Sequence, residues 1–263
     1  MTTKKGTALI TGASSGIGAI YADRLSRQGY DLILVARNTE RLHTLAKRLT
    51  DETGRSIEVV VADLGTKADL RHVEDILRSD ASITMLVNNA GLGATASLLE
   101  SDIETLEPLI DLNVTALTRL TYAAVPGFVA RGGGTLINIA SVVAIAPELL
   151  NGVYGASKAF VLALSQSLHQ ELANSNVRVQ AVLPGATATD FWAIAGKPVE
   201  QLPSAIVMRA DDMVDAALAG LELGEFITIP ALPDSGDLDA YEAARQQLLP
   251  NLSLSTPASR YRH

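Results

Sequence analysis

The chain has 263 residues, of which 48% are hydrophobic and only 4% aromatic, so it can bury a large core that is mainly aliphatic. Its net charge of −8 argues against a nucleic-acid partner, and the absence of cysteine excludes disulfides and cysteine-built metal sites. The four histidines are scattered, so no metal site is predicted, and no apolar run is long enough to span a membrane.

The first apolar stretch ends at Gly12, which is too soon for a signal peptide, and we expect a cytoplasmic protein. From there, short apolar runs alternate with helical stretches. The runs are apolar at nearly every position, which is typical of strands buried on both faces of a sheet. The predicted strands are residues 7–11, 31–36, 57–62, 83–88, 135–140 and 177–183, with a seventh at 225–230.

Helical periodicity lies between these strands, for example in residues 38–54, 152–175 and 211–224. Strands that alternate with helices indicate parallel strands joined by right-handed crossovers. The predicted fold class is therefore α/β. We expect a Rossmann-like, doubly wound parallel sheet of about seven strands with helices on both faces.

No long linker, repeat or low-complexity tract interrupts this alternation. We predict one domain over residues 1–250, with an irregular insertion at 186–210, and a C-terminal tail over 251–263 that reads as extended. A helix is plausible at 237–248, but the sequence assigns no role to the C-terminal segment 231–263.

The stretch TGASSGIG, residues 11–18, follows the first strand and opens a helix. Its glycines permit a tight turn, and the helix N-terminus offers free N–H groups to a pyrophosphate. The alternative is a purely structural turn. The predicted phosphate contacts are Gly12, Ser14, Ser15, Gly16, Ile17 and Gly18.

The second strand ends at Ala36 and is followed by Arg37, where an NAD site usually carries an acid. A guanidinium can bind a 2′-phosphate in a bidentate manner. The pattern favours NADP(H) over NAD(H). The alternative is an exposed arginine beside a helix start.

After the glycine turn, five further features follow in a fixed order. They are NNAG at 88–91, Asn113 and Ser141, YGASK at 154–158 and PGATAT at 184–189. This ordered set resembles the short-chain dehydrogenases/reductases of the single-domain type, over about residues 6–230.

The resemblance implies further cofactor contacts. Asp63 and Leu64 are expected against the adenine, and the nicotinamide carboxamide is expected at the end of the sixth strand. The remaining implied residues are Asn89, Ala90 and Gly91 in the cofactor channel and Pro184, Gly185, Thr187 and Thr189 at the carboxamide.

Tyr154 and Lys158 are four positions apart in a predicted helix, so they share a face. An ammonium near a phenol favours phenolate, so we expect a lowered Tyr154 pKa and a role in proton transfer. Ser141 follows a strand and can donate to a carbonyl oxygen. Asn113 lies inside a helix predicted over 102–124, although asparagine is a poor helix former away from a cap. The family resemblance implies that Lys158 also bonds the nicotinamide ribose and that Asn113 holds a water linking Lys158 to solvent.

These residues predict an NADP(H)-dependent oxidoreductase that transfers hydride between nicotinamide and a carbonyl or secondary alcohol. The expected pocket walls, residues 92–97, 142–151 and 186–205, are mostly apolar and include Phe191 and Trp192, which favours a small, neutral, fairly apolar substrate. Two alternatives stay open: a catalytically silent NADP-binding protein, and a non-redox epimerase or lyase on the same fold.

The helix at 153–168 is apolar on more than one face, and packing on the sheet explains only one of them. The family commonly assembles through this helix and the helix before it. We therefore expect a homodimer or homotetramer. The substrate's identity and the physiological direction do not follow from the sequence.

Overall fold

The computed structural model describes residues 5–262, and the contacts divide the chain after Pro230 into two compact units. The first unit contains a sheet of seven parallel strands in the order β3-β2-β1-β4-β5-β6-β9. Its strands are β1 (Thr7–Thr11), β2 (Asp31–Ala36), β3 (Ile57–Val61), β4 (Ile83–Asn88), β5 (Gly134–Ile139), β6 (Val177–Val182) and β9 (Ile227–Thr228), while β7 (Thr187–Ala188) and β8 (Met208–Arg209) form a separate parallel pair.

Helices cover both faces of the sheet. The helices of this unit are α1 (Gly16–Arg27), α2 (Thr39–Thr53), α3 (Lys67–Ser79), α4 (Ile103–Ile110), α5 (Leu117–Ala130), α6 (Gly152–Glu171), α7 (Phe191–Ile194) and α8 (Ala210–Leu223). Buried residues of α1, α2 and α8 pack in one core layer, and those of α3, α5 and α6 pack in the other.

Successive strand residues supply the two layers in turn. In β1, Ala8 and Ile10 belong to the first layer and Leu9 to the second, and all three are fully buried. Because both faces of the strand are covered, both sets of side chains must be apolar. This is the reason for the uninterrupted apolar runs in the sequence, and the predicted fold class is confirmed.

The strand order reverses between β1 and β4, where the chain turns from one half of the sheet to the other. In open α/β sheets, the crevice outside the carboxyl ends of the strands at such a reversal is where ligands bind. The glycine turn follows β1 and the NNAG motif spans the end of β4, so both lie at this reversal.

Two local predictions need correction. The helix expected over 102–124 is divided by a π-helical turn, Asp111–Ala116, between α4 and α5. The insertion at 186–210 is not wholly irregular, because it contains β7, α7 and β8.

The second unit begins at Ala231 and contains α9 (Ser235–Gln247), which confirms the helix suggested there. The stretch expected as an extended tail includes short 3₁₀ turns at Leu249–Asn251 and Ser259–Tyr261. His263 lies outside the described residues. A single domain through residue 250 stays a prediction. No helix in residues 5–262 is both long and apolar enough to cross a membrane.

Candidate active site

The glycine turn between β1 and α1 has the backbone form that its sequence predicts. Gly12 and Gly16 have φ values of +65° and +53°, which side-chain-bearing residues rarely adopt. At Gly18, a Cβ would overlap the Gly12 carbonyl oxygen. Ser15 precedes α1 without a side-chain cap, so the first N–H groups of the helix stay available. The turn therefore fits a pyrophosphate.

The NNAG motif ties the ends of β1 and β4 together. The Asn89 amide donates to the carbonyl oxygens of Thr11 at 2.8 Å and Gly12 at 3.2 Å. In return, the Thr11 hydroxyl accepts from the backbone N–H groups of Asn89 and Ala90, each at 3.0 Å. Asn89 thus shapes the glycine turn from the neighbouring strand.

Arg37 follows β2 with a side chain that is 69% exposed. Its nearest charge partner is Asp63, at 4.0 Å between Nη1 and Oδ2, a separation at which an exposed pair is weak. The Asp63 carboxylate accepts from the Gly65 N–H, and Leu64 is buried beside it. The Arg37 guanidinium is therefore free to bind a further anion, such as a phosphate.

Tyr154, Lys158 and Ser141 come together at the ends of β5 and α6, and all three are buried. The Ser141 hydroxyl donates to the Pro184 carbonyl oxygen at 3.4 Å and accepts from the Val143 N–H at 3.4 Å. The Lys158 Nζ lies 5.9 Å from the centre of the Tyr154 ring and donates to the Ile139 carbonyl oxygen at 2.9 Å. The three predicted side chains are thus close together, but the Lys158 ammonium is hydrogen-bonded to the last residue of β5 and not to Tyr154.

Burial decides the two pKa values. It raises the pKa of Tyr154 to about 12, because phenolate loses hydration, and the neighbouring Ser141 side chain offsets only part of that effect. It lowers the pKa of Lys158 to about 8, because the ammonium loses hydration too. The expectation of a lowered Tyr154 pKa is therefore wrong for the chain by itself.

Asn113 lies in the π-helical turn and is buried. Its Oδ1 accepts from the Leu92 N–H at 2.9 Å, and its Nδ2 donates to the Leu92 carbonyl at 2.9 Å and to the Ser157 hydroxyl at 3.0 Å. A Cβ at Gly91 would lie 3.1 Å from Asn113 Oδ1 and 3.6 Å from Lys158 Nζ. Asn113 therefore joins the NNAG loop to α6.

The residues after β6 return to the same edge of the sheet. The Pro184 carbonyl accepts from the Val142 N–H at 3.0 Å, and Thr187 Oγ1 donates to the Gly185 carbonyl at 3.2 Å. Thr189 lies against the glycine turn, since a Cβ at Gly16 would be 3.2 Å from its Cγ2. Contacts thus join six separate stretches of the chain at this edge of the sheet.

Residues 6–198 match the sequence model of the short chain dehydrogenase family. The chain belongs to this family. The short-chain dehydrogenase from Sphingobium yanoikuyae in complex with NADPH is 51% identical, with a TM-score of 0.95, and the match covers 98% of this chain and 100% of that one.

Two further proteins extend the comparison. The bulky-bulky ketone specific alcohol dehydrogenase from Comamonas testosteroni is 44% identical, with a TM-score of 0.91, over 99% of this chain and 100% of that one. An uncharacterised oxidoreductase of Staphylococcus epidermidis is 35% identical over 71% of this chain and 80% of its own length. The chain is thus an oxidoreductase of this family.

The structure adds site residues that the sequence analysis of this short-chain dehydrogenase missed. Asn151 is buried before α6; its Oδ1 accepts from the N–H groups of Val153 and Tyr154, and its Nδ2 donates to the Ala96 carbonyl at 2.6 Å and to Ser101 Oγ at 3.2 Å. An asparagine three residues before Tyr154 could have suggested a helix cap. Nothing in the sequence pointed to its second set of partners.

Proposed function

We propose that the chain is an NADPH-dependent carbonyl reductase, and in reverse an alcohol dehydrogenase, for neutral apolar ketones or aldehydes. The observation that carries the proposal is the buried Tyr154 side chain, which has Lys158 Nζ 5.9 Å from its ring centre and lies within an apolar surround. Leu109 and Val143 are buried with Tyr154, and Leu92, Ala94, Leu150, Val153 and Phe191 pack around them.

The residues present fit the cofactor. The glycine turn and the free N–H groups of α1 would hold the pyrophosphate, and Arg37 would hold the 2′-phosphate. Gly91, Lys158 and the stretch from Pro184 to Thr189 would hold the nicotinamide riboside. NADPH in the 51% identical neighbour supports the choice of NADP(H).

When bound, the cofactor supplies a hydride to the carbonyl carbon, and its oxidised ring supplies a positive charge that lowers the Tyr154 pKa. Tyr154 donates its proton to the carbonyl oxygen, so that the ketone becomes an alcohol. Ser141 donates a hydrogen bond to the same oxygen and stabilises the charge that develops there. Lys158 would bond the nicotinamide ribose, and a water at the Asn113 turn would return a proton towards Tyr154.

The ketone class rests on the walls. Aliphatic and aromatic side chains pack around Tyr154, which favours an apolar substrate over an acid or a phosphate. The 44% identical neighbour is described as specific for bulky-bulky ketones. We extend that property to this chain and propose ketones with a sizeable group on both sides of the carbonyl.

A panel of carbonyls tests the function. The purified chain is mixed with NADPH and, one at a time, with small ketones, aryl ketones and apolar aldehydes, and the loss of NADPH absorbance is followed. We expect net oxidation of NADPH and the matching alcohol as product. Cofactor binding without turnover would favour a silent binding protein, and conversion of a substrate without net change in cofactor would favour an epimerase or lyase.

A further inference from the structure

Phe191 is the first residue of α7, and its ring lies beside Tyr154. The two ring centres are 5.8 Å apart and the planes are tilted by 48°. This is a favourable arrangement for two aromatic rings. The Phe191 ring is therefore in direct contact with the tyrosine ring.

Gly93 makes room for that ring. A Cβ at Gly93 would overlap three atoms of the Phe191 ring, the most distant of them at 2.9 Å. Gly93 is not among the glycines with positive φ, so its backbone conformation would accept alanine. The ring, and not the backbone, is the reason why a glycine is needed here.

Contacts on both sides of Phe191 hold α7 in place. Before it, Asp190 forms an exposed ion pair at 3.2 Å with Arg41 in the first turn of α2. After it, the Thr95 hydroxyl donates to the Ala195 carbonyl at 2.8 Å, which joins α7 to the loop that contains Gly93. The position of the Phe191 ring is thus set by its neighbours in the fold.

We propose that Phe191 is a specificity-determining residue, the wall against which the larger flat apolar substituent of the ketone packs, and that Gly93 holds its ring in place. The inference rests on the proposed carbonyl reduction. An aromatic substituent beside Tyr154 meets the Phe191 ring at stacking distance, and a small alkyl substituent does not. Discrimination between the two is expected to be about tenfold, the upper range for one aromatic pair.

The test uses F191A, G93A and the double variant, with I194A as the control, because Ile194 is on the same helix but 69% exposed. kcat/KM with NADPH is measured for a bulky aryl ketone and for a small dialkyl ketone. F191A and G93A should each lower the aryl-to-alkyl ratio about tenfold, and I194A should leave it unchanged. G93A should have no further effect in the F191A background, since the ring that a Cβ would displace is gone.

Trp192 gives a readout that does not need turnover. It is the only tryptophan in the chain, and its ring meets Phe191 edge-on, with centres 5.8 Å apart. Its fluorescence should change in G93A and stay the same in I194A. An unchanged emission in G93A overturns the contact between Gly93 and the ring.

The two proposals fail in different ways. If the wild-type chain reduces both ketones and F191A leaves their ratio unchanged or raises it, only the role of Phe191 is overturned. An additional loss from G93A in the F191A background overturns the role of Gly93. If the wild-type chain oxidises no NADPH with any carbonyl, the proposed function is overturned, and this specificity falls with it.

Discussion

Single residues at this site have chemistry that depends on their burial. Tyr154 and Lys158 are one helical turn apart, yet burial moves their pKa values towards the neutral forms, to about 12 and about 8. The opposite direction for Tyr154 was expected from spacing alone. In the chain by itself, burial therefore affects the Tyr154 pKa more than the nearby Lys158 does. A positive charge that lowers this pKa must come from a group other than Lys158.

Tyr154→Phe removes the proposed proton donor and keeps the ring. We expect turnover to fall by at least ~10²-fold, the low end of general acid–base effects, with NADPH affinity nearly unchanged. Steady-state rates and a fluorescence titration of NADPH measure the two quantities. Tyr241→Phe is the control, because Tyr241 is an exposed tyrosine on α9. Near-normal turnover in the Tyr154 variant would contradict the assignment.

The lowered pKa of Lys158 predicts a pH dependence. Reduction needs protonated Tyr154 and charged Lys158; the first is retained up to about pH 12, and the second is lost as pH rises through about 8. We expect kcat/KM for the carbonyl to be level below that pH and to fall above it, up to tenfold per unit. A kcat/KM profile that stays level to pH 10 would contradict this expectation. The control is Lys197→Met, a change at an exposed lysine, which should leave the pH profile as in the wild type.

Arg37 tests the cofactor preference. In Arg37→Asp, a carboxylate replaces the guanidinium at the end of β2, which repels a 2′-phosphate and can bond a ribose hydroxyl. We expect kcat/KM for NADPH to fall about 10- to 100-fold, the range for a lost charge-assisted hydrogen bond, while that for NADH is maintained or rises. Arg71→Asp, on the exposed surface of α3, is the matched control. An unchanged preference for NADPH over NADH would disprove the role of Arg37.

At the scale of elements, a π-helical turn and a helix start position the residues of the site. The π-helical turn between α4 and α5 directs Asn113 towards Leu92 and Ser157, and Asn151 starts α6 three residues before Tyr154. The sequence marked Asn113 as a poor residue for a helix interior, which was a valid signal. It could not indicate a widened turn, because that geometry depends on partners 21 and 44 positions away.

Asn151 has two roles that substitution can separate. Asn151→Asp keeps the oxygen that caps α6 and loses the N–H groups that bond Ala96 and Ser101, while Asn151→Ala loses both. We expect both variants to speed amide hydrogen exchange over residues 96–101, and only the alanine variant to speed it in the first turn of α6. The alanine variant should also lose about 1 kcal/mol of cap stability. Equal exchange in both segments for both variants would disprove the two roles.

At the scale of the whole molecule, apolar side chains stay exposed on α5 and α6. They include Tyr122 and Val129 on α5 and Phe160 on α6, which are 66%, 42% and 39% exposed. An isologous contact between two copies would cover these faces, as symmetric oligomers do. This supports the homo-oligomer that we predict from the sequence.

The assembly prediction is tested by sedimentation at micromolar concentration. The wild-type chain should have the mass of a dimer or tetramer, and Phe160→Asp should shift the mass towards the monomer, because a buried charge at the contact has no partner. Leu223→Asp, which alters a 79% exposed leucine on α8, should not. A wild-type monomer would disprove the prediction.

The amino-acid sequence by itself determined the alternation of strands and helices, the parallel sheet and the family. These follow from local signals, namely apolar runs, helical periodicity and glycines whose φ values few other residues adopt. Only the tertiary structure decided the burial that sets the Tyr154 and Lys158 pKa values, the partners of Asn113 and Asn151, and the Phe191 ring on Gly93. The physical reason is that each depends on atoms far apart in the chain, such as the hydrogen bond from Thr95 to Ala195 across 100 positions.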